Sequence, residues 1–233
     1  MTQKKKQAVV LLSGGMDSSV VLADAVHKGF DVHAITFRYG QRHGMEIEAA
    51  KVQAKSALVS KHIVFDLNIG QFGGSALTDI IDVPHNVESN EIPVTYVPAR
   101  NTVFLSVALS YAESIGARDI FIGVSSVDYS GYPDCRPEFI ESFEATANLG
   151  TRAADGEGHF TIHAPLIRLT KEETVRLGEM YGVDFEHTHT CYDPGPDGTP
   201  CETCDSCRLR EKGFKEAGMA DPVLKRAGKR ESR

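Results

Sequence analysis

A parallel β-sheet covered on both faces by helices is the expected architecture of this 233-residue chain, and three features point to it. Short apolar runs of strand length alternate with longer segments of helical character from residue 7 to about residue 181. The first run, Val9-Val10-Leu11-Leu12, is apolar throughout, as a strand buried on both sides requires. A tight polar turn, Ser13 to Ser18, follows it directly and leads into Val20-Val21-Leu22-Ala23, which starts a helix.

The elements follow in order. Residues 7–13 read as the first strand and 18–28 as the first helix, stopped by Gly29. Residues 30–37, FDVHAITF, read as a second buried strand. Residues 43–58 place Ile47, Ala50 and Ala54 on one face among Glu and Lys, the pattern of an amphipathic helix. A third strand is expected over 62–67, then a long irregular connection over 68–97, a length that is often functional. Residues 99–115 form a strongly apolar helix, 119–124 a fourth strand ending at Gly123, 137–149 a helix, and 160–164 a short strand before Pro165. Thr170-Lys171-Glu172-Glu173 is a capping box that opens a helix running to about Tyr181. In sheets of this kind ligands sit at the carboxyl ends of the strands, near the point where strand order reverses.

With 41% hydrophobic residues the chain can bury a full core, and its length suits one large domain or one domain with an appendage. The division expected is 1–185 for an α/β nucleotide domain and 186–233 for a C-terminal segment packed on it as one unit. A net charge of −7 argues against a broad nucleic-acid surface. Lys4-Lys5-Lys6 precedes an apolar run too short for a signal peptide, and no stretch approaches membrane-spanning length, so a cytoplasmic location without membrane contact is expected.

The turn after the first strand carries the most chemistry. Successive backbone N–H groups at a helix start make a ready site for phosphate. Gly14 and Gly15 let the backbone approach the anion, Ser13, Ser18 and Ser19 add hydroxyl donors, and Asp17 can orient a donor or hold a metal. The Walker pattern is absent. The run SGGMDS instead resembles the SGGxDS loop of the PP-loop ATP pyrophosphatases. That resemblance implies an ATP site along Leu12, Ser13, Gly14, Gly15, Met16, Asp17, Ser18, Ser19, Val20, Val21 and Leu22.

Other strand ends add candidates. Arg38 to His43 offers two arginines, an amide and a histidine, which suits an anionic ligand and equally a solvated helix start. Val97-Pro98-Ala99-Arg100-Asn101 stiffens the start of the long helix and presents guanidinium and amide donors, Asn101 doubling as an N-cap. Residues 123–136 are rich in hydrogen-bonding groups and rings, with acids that can accept from a purine N–H edge.

Cys191, Cys201, Cys204 and Cys207 lie together on a turn-rich segment, the last three spaced as Cys-x-x-Cys-x-x-Cys. Four thiolates can close a tetrahedral shell around one zinc, leaving no open position, so the zinc would be structural. An iron–sulfur cluster and free thiols are the other readings, and His187 or His189 could replace Cys191 as a ligand.

SGGMDS, TFRYGQRH, VPARN, SGYPDCRPEF and the CY…CxxCxxC tail occur in that order and together resemble the QueC family of 7-cyano-7-deazaguanine synthases over roughly residues 7–215. The resemblance implies a Rossmann-like, adenine nucleotide alpha hydrolase-like fold with one zinc per subunit, in a homodimer. It also implies an ATP-dependent C–N ligase of queuosine biosynthesis, which converts 7-carboxy-7-deazaguanine and ammonia to the nitrile by adenylating first the acid and then the amide. On that reading Arg100, Asn101, Asp128, Tyr132 and Asp134 bind the deazaguanine and its carboxylate. Asp17, Arg42, His43 and Lys171 stabilise charge or carry protons, and Mg²⁺ bridges the phosphates, held partly by Asp17. No glutaminase domain fits this length, so free ammonia is the expected nitrogen source.

Two other functions remain readable from the residues. One is a PP-loop enzyme that adenylates a tRNA base and delivers sulfur. The other is a zinc-containing nucleic-acid module using Lys225, Arg226, Lys229, Arg230 and Arg233, a run that is more often a solvated tail.

Overall fold

Side chains of one strand point alternately to opposite faces of a sheet, so an all-apolar strand needs cover on both. Here Ala8, Val10 and Leu12 join one apolar layer, while Val9 and Leu11 join the other. A computed structural model describes residues 5–86, 91–125, 131–156 and 158–224. Its five parallel strands are β1 (Gln7–Leu11), β2 (Asp31–Arg38), β3 (Lys61–Asp66), β4 (Asp119–Phe121) and β5 (Thr161–His163), in the order β3-β2-β1-β4-β5.

Among the described residues six α-helices cover the sheet: α1 (Met16–His27), α2 (Met45–Ser56), α3 (Arg100–Ile115), α4 (Pro137–Leu149), α5 (Lys171–Met180) and α6 (Asp205–Glu216). Val20 and Leu22 of α1, Ala50 of α2, Val175 of α5 and Phe214 of α6 pack on the Val10 side. Leu105 and Ala108 of α3, with Ile140 and Phe143 of α4, pack on the Val9 side. The chain thus lays β2 and β3 to one side of β1 and then crosses to place β4 on the other. Strand order reverses between β1 and β4, and the crevice above their carboxyl ends is where such a fold binds ligands.

Boundaries differ from the expectation by a residue or two, except at β4, which ends at Phe121 and not at 124. The cause is close packing. A Cβ on Gly123 would lie 3.1 Å from the backbone of Ser18, so the chain leaving β4 runs against the start of α1. The capping box of α5 is formed as expected: Thr170 Oγ1 accepts from the Glu173 N–H, and the Thr170 N–H donates to Glu173 Oε2 at 2.8 Å.

The C-terminal segment is sewn onto this frame. Phe214 and Ala217 sit in the same apolar layer as Val20. The buried Arg210 guanidinium donates to both Asp221 oxygens at 2.6 and 2.9 Å, and to Thr188, Thr190 and the Phe185 carbonyl. A bidentate pair with its remaining protons satisfied is the form in which a buried charge is tolerated. Among the described residues, no helix is long and apolar enough to cross a membrane. The terminal basic run at 225–233 lies outside the described residues.

Candidate active site

Above the β1/β4 switch lies a cavity of about 250 Å³. Its floor is the Ser13–Ser18 turn. Gly14 adopts φ +87, a conformation that L side chains avoid, and its Cβ position is filled by the Glu46 carbonyl oxygen and by the Ala50 nitrogen at 2.6 Å. The turn is therefore wedged under the start of α2. Ser18 Oγ accepts from the Ser13 N–H at 3.2 Å and lies 3.0 Å from Ser13 Oγ, while Ser13 Oγ accepts from the Gly15 N–H at 3.2 Å. The His189 N–H donates to the Gly14 carbonyl at 2.8 Å, tying the loop to the C-terminal segment.

Within the expected ATP stretch, Leu12, Ser13, Gly15, Met16, Asp17 and Ser18 line the cavity. The others face elsewhere. Gly14 turns toward α2; Ser19 donates to the Gly15 carbonyl at 2.8 Å; Val20, Val21 and Leu22 are buried in the layer below the sheet. Gly14→Ala is expected to displace the loop and weaken ATP binding by about tenfold or more in calorimetric titration. Unchanged affinity would show that the turn tolerates a side chain.

Among the described residues, Arg42, Arg100, Lys171 and Arg210 reach the cavity. Lys171, the first residue of α5, is 8% exposed, and its amine donates to Asp17 Oδ2 at 2.6 Å and Ser125 Oγ at 3.1 Å. This contact joins the start of α5 to the start of α1, 154 residues apart in sequence. Arg42 also donates to the carbonyls of Ala76 and Ile81, so it fastens the 68–97 connection as well as facing the cavity. His43 lines the cavity too, and its buried Nε2 has no hydrogen-bond partner among the described residues.

Arg100 follows Ala99, a non-glycine residue held at φ +52, a strained conformation of the kind that clusters at functional sites. The guanidinium lies over the rings of Tyr39 and Phe104, each 5.9 Å away. Burial acts to lower its pKa, but Tyr39, Cys135, Tyr192 and Asp134 outweigh that and hold it charged. The same burial, with the charge of Glu46, pushes the Tyr39 phenol up to about 12.

The remaining base-binding candidates divide. Tyr132 lines the cavity, its hydroxyl 2.9 Å from Thr95 Oγ1. Asn101 lines it as well, but its Nδ2 donates to the Asp134 carbonyl and toward Cys135 Sγ. Asp134 is buried beneath the start of α3, where Oδ2 accepts the Asn101 N–H at 2.9 Å, so it supports the helix end that carries Arg100 and does not line the cavity. Asp128 lies outside the described residues.

Sequence reasoning did not single out Glu46, Tyr39, Phe104 or Tyr192, all of which line the cavity, and it named His189 only as a metal ligand. Glu46 sits among other charges in the first turn of α2, indistinguishable in sequence from a solvated helix start. Burial raises its carboxyl to about pKa 7, partly offset by the Arg100 charge and a hydrogen bond from Gln41.

Cys191 sits in one wall of this cavity, as one of the four clustered cysteines. Their sulfurs all lie within 4.8 Å of one another. A tetrahedral site with Zn–S bonds of about 2.3 Å needs separations near 3.8 Å, so the set fits one zinc. Backbone N–H groups of Cys201 and Cys204 point at Cys191 and Cys201 sulfurs, as they do toward metal-bound thiolates. Cys204 accepts from the thiols of Cys191 and Cys207, which pulls its pKa down and pushes Cys191 up to about 12 and Cys207 higher. His85 bridges to this wall from the long connection, pairing across to Cys204 and reaching Thr203 Oγ1 at 2.7 Å. His187 instead pairs with Asp184 at 2.7 Å.

An SGGxDS loop at a β1/β4 switch, facing a cationic and aromatic cavity, defines an α/β protein of the PP-loop nucleotide-binding class. The fold recurs in solved structures of low identity. These include the NMN synthetase of Francisella tularensis (TM-score 0.52, 15% identity, 95% of this chain and 82% of that one). A 4-thiouridine synthetase in complex with RNA and ATP is similar too (TM-score 0.50, 20% identity, 95% and 53%). Residues 7–218 match the family described as Queuosine biosynthesis protein QueC. The 7-cyano-7-deazaguanine synthase of Frankia casuarinae is 58% identical over 95% of both chains, and that of Pelobacter propionicus is 57% identical over 94% of this chain and 97% of its own. The chain belongs to the QueC family.

Proposed function

We propose that this chain is an ATP-dependent ligase that converts 7-carboxy-7-deazaguanine and ammonia to 7-cyano-7-deazaguanine, the activity for which its 57–58% identical relatives are named. The observation that carries the reading is the single cavity. The phosphate loop (Ser13, Gly15, Ser18) and the Arg100–Tyr39–Phe104 cluster open into one space.

The chemistry needs that closeness. A carboxylate is a poor acyl electrophile, because oxide would have to leave. Transfer of AMP from ATP to the acid releases pyrophosphate and gives a mixed anhydride; ammonia then displaces AMP and leaves the amide. A second adenylation, on the amide oxygen, lets AMP leave again with loss of the N–H protons, forming the nitrile. The protein supplies position and charge. The loop N–H groups and the α1 dipole receive the phosphates, Lys171 stabilises their growing charge, and Arg100 holds the substrate carboxylate against the rings. Asn101 and Tyr132, with Asp128, would complete the base site, and Asp134 contributes through Asn101.

Asp17 and water would hold Mg²⁺ at the loop, and that ion, when bound, neutralises phosphate charge. Zinc on Cys191, Cys201, Cys204 and Cys207 is structural in this account. The segment from residue 186 onward serves as a wall of the cavity. The reading extends to a cytoplasmic homodimer acting on small molecules, without bound nucleic acid.

Purified protein with 7-carboxy-7-deazaguanine, ammonium and Mg-ATP, followed by mass spectrometry of base and nucleotide, tests the reading. Nitrile with AMP is the expected result. Nitrile with ADP would overturn the adenylation route, and absence of nitrile from folded protein would overturn the ligase.

A further inference from the structure

Ammonia at neutral pH is mostly ammonium, which has no lone pair and cannot attack an activated carboxyl. An enzyme that uses it has to draw a cation into its site and then remove a proton. That task is awkward here, because Arg42, Arg100, Lys171 and Arg210 already face the cavity. Arg210 is already paired with Asp221, and among the described residues two carboxylates, Asp17 and Glu46, line the cavity beside the other three. Asp17 is engaged by the Lys171 amine at 2.6 Å, which leaves Glu46.

Glu46 stands where the nitrogen has to arrive. Its backbone carbonyl is the atom that fills the Cβ position of Gly14, so the residue abuts the phosphate loop. Its carboxyl accepts from Gln41 and interacts with Arg100, the residue assigned to the substrate carboxylate. On the ligase reading, the mixed anhydride with AMP forms between those two anchors. Tyr39 faces Glu46 but holds its proton far above neutrality. His43 and His189 share the cavity, but an imidazole carries no negative charge to attract a cation.

We infer that Glu46 binds the incoming nitrogen as ammonium beside Arg100 and removes its first proton. The inference rests on the ligase reading above. In the step, an ammonium N–H bond breaks and its proton moves to the Glu46 carboxylate. The freed lone pair forms the C–N bond. AMP then leaves with the electrons of the C–O bond as the second proton passes to water, and Glu46 returns its proton to water before the next cycle. Burial places the Glu46 carboxyl near pKa 7, suited to a base working at neutral pH. The sign follows directly: below about pH 7 the group is a neutral acid that neither attracts nor deprotonates ammonium, so ammonium use rises with pH through that value.

The test is Glu46→Gln, read in three assays. Adenylation of the acid without a nitrogen source is measured on the same preparation, and the ammonium deficit is read as the loss beyond any change in that step. At pH 7, kcat/KM for ammonium should fall by about 10² or more, and the deficit should close as alkaline pH supplies free ammonia. Hydroxylamine, uncharged at neutral pH, should be used at close to the parent rate, giving the hydroxamate. An equal deficit at every pH, or with hydroxylamine, would overturn the inference, as would a raised KM for the acid, which would make Glu46 a reader of the base. If the parent protein activates no 7-carboxy-7-deazaguanine at all, it is the ligase reading that fails, and Glu46 falls with it.

Discussion

Lys171→Met abolishes turnover, with kcat expected to fall by about 10³-fold or more in a nucleotide-release assay. Methionine preserves length and removes the charge. The lysine is almost wholly buried and is the cation bonded to the phosphate loop's own acid. Its loss leaves growing phosphate charge unbalanced beside the loop, where a preorganised donor is worth more than one at a free surface. The same change leaves Asp17 without its amine partner. Asp17 keeps one fifth of its side-chain surface exposed, so the penalty is smaller than for a sealed ion pair, and a loss of a few degrees in Tm is expected. Adding Asp17→Asn removes the uncompensated charge and should restore the Tm while leaving the enzyme inactive. A Lys171→Met protein that kept more than a tenth of its kcat would contradict the role given to this amine.

Cys204→Ser, or prolonged chelation, is expected to remove the bound metal and lower the Tm by about 10 °C or more, with activity lost below the transition as well. The double effect follows from position. Cys204 is fully buried and pairs with His85, which anchors the 68–97 connection. Cys191 and its neighbour Tyr192 line the cavity itself. A shell that loosens there frees the wall against which Arg100 is set. Metal analysis, calorimetry and turnover on one preparation check the three together. A metal-free protein with unchanged Tm and kcat would mean that the cysteines hold no structural ion.

The frame was legible in the sequence because its signals are local. A four-residue apolar run, a Ser-Gly-Gly turn and a capping box each act within one turn of chain. Reading their order was enough for a parallel sheet, an SGGxDS loop at the first strand end and a cysteine shell. Strand order was less accessible: the placing of β4 beside β1 depends on long-range packing, including the fit of Gly123 against Ser18. The site was partly legible. Lys171 could be named, but not its contact with Asp17. Asp134 resembled a base-reading acid, and only the fold shows it capping the helix that carries Arg100. Glu46 has the sequence context of a surface charge, and only the start of α2 against the loop sets it apart. Val20, Val21 and Leu22 follow the loop in sequence but turn into the core, since a helix leaving a phosphate site sends its next turn away from it.

One cavity performing both activations is the central claim, and feeding the intermediate tests it most directly. The purified chain, given the 7-amide of deazaguanine with Mg-ATP and no ammonium, should form the nitrile with one AMP per product, against two AMP per nitrile from the acid. Failure to process the amide, in a preparation that converts the acid to the amide, would place the second activation in another protein and contradict the account.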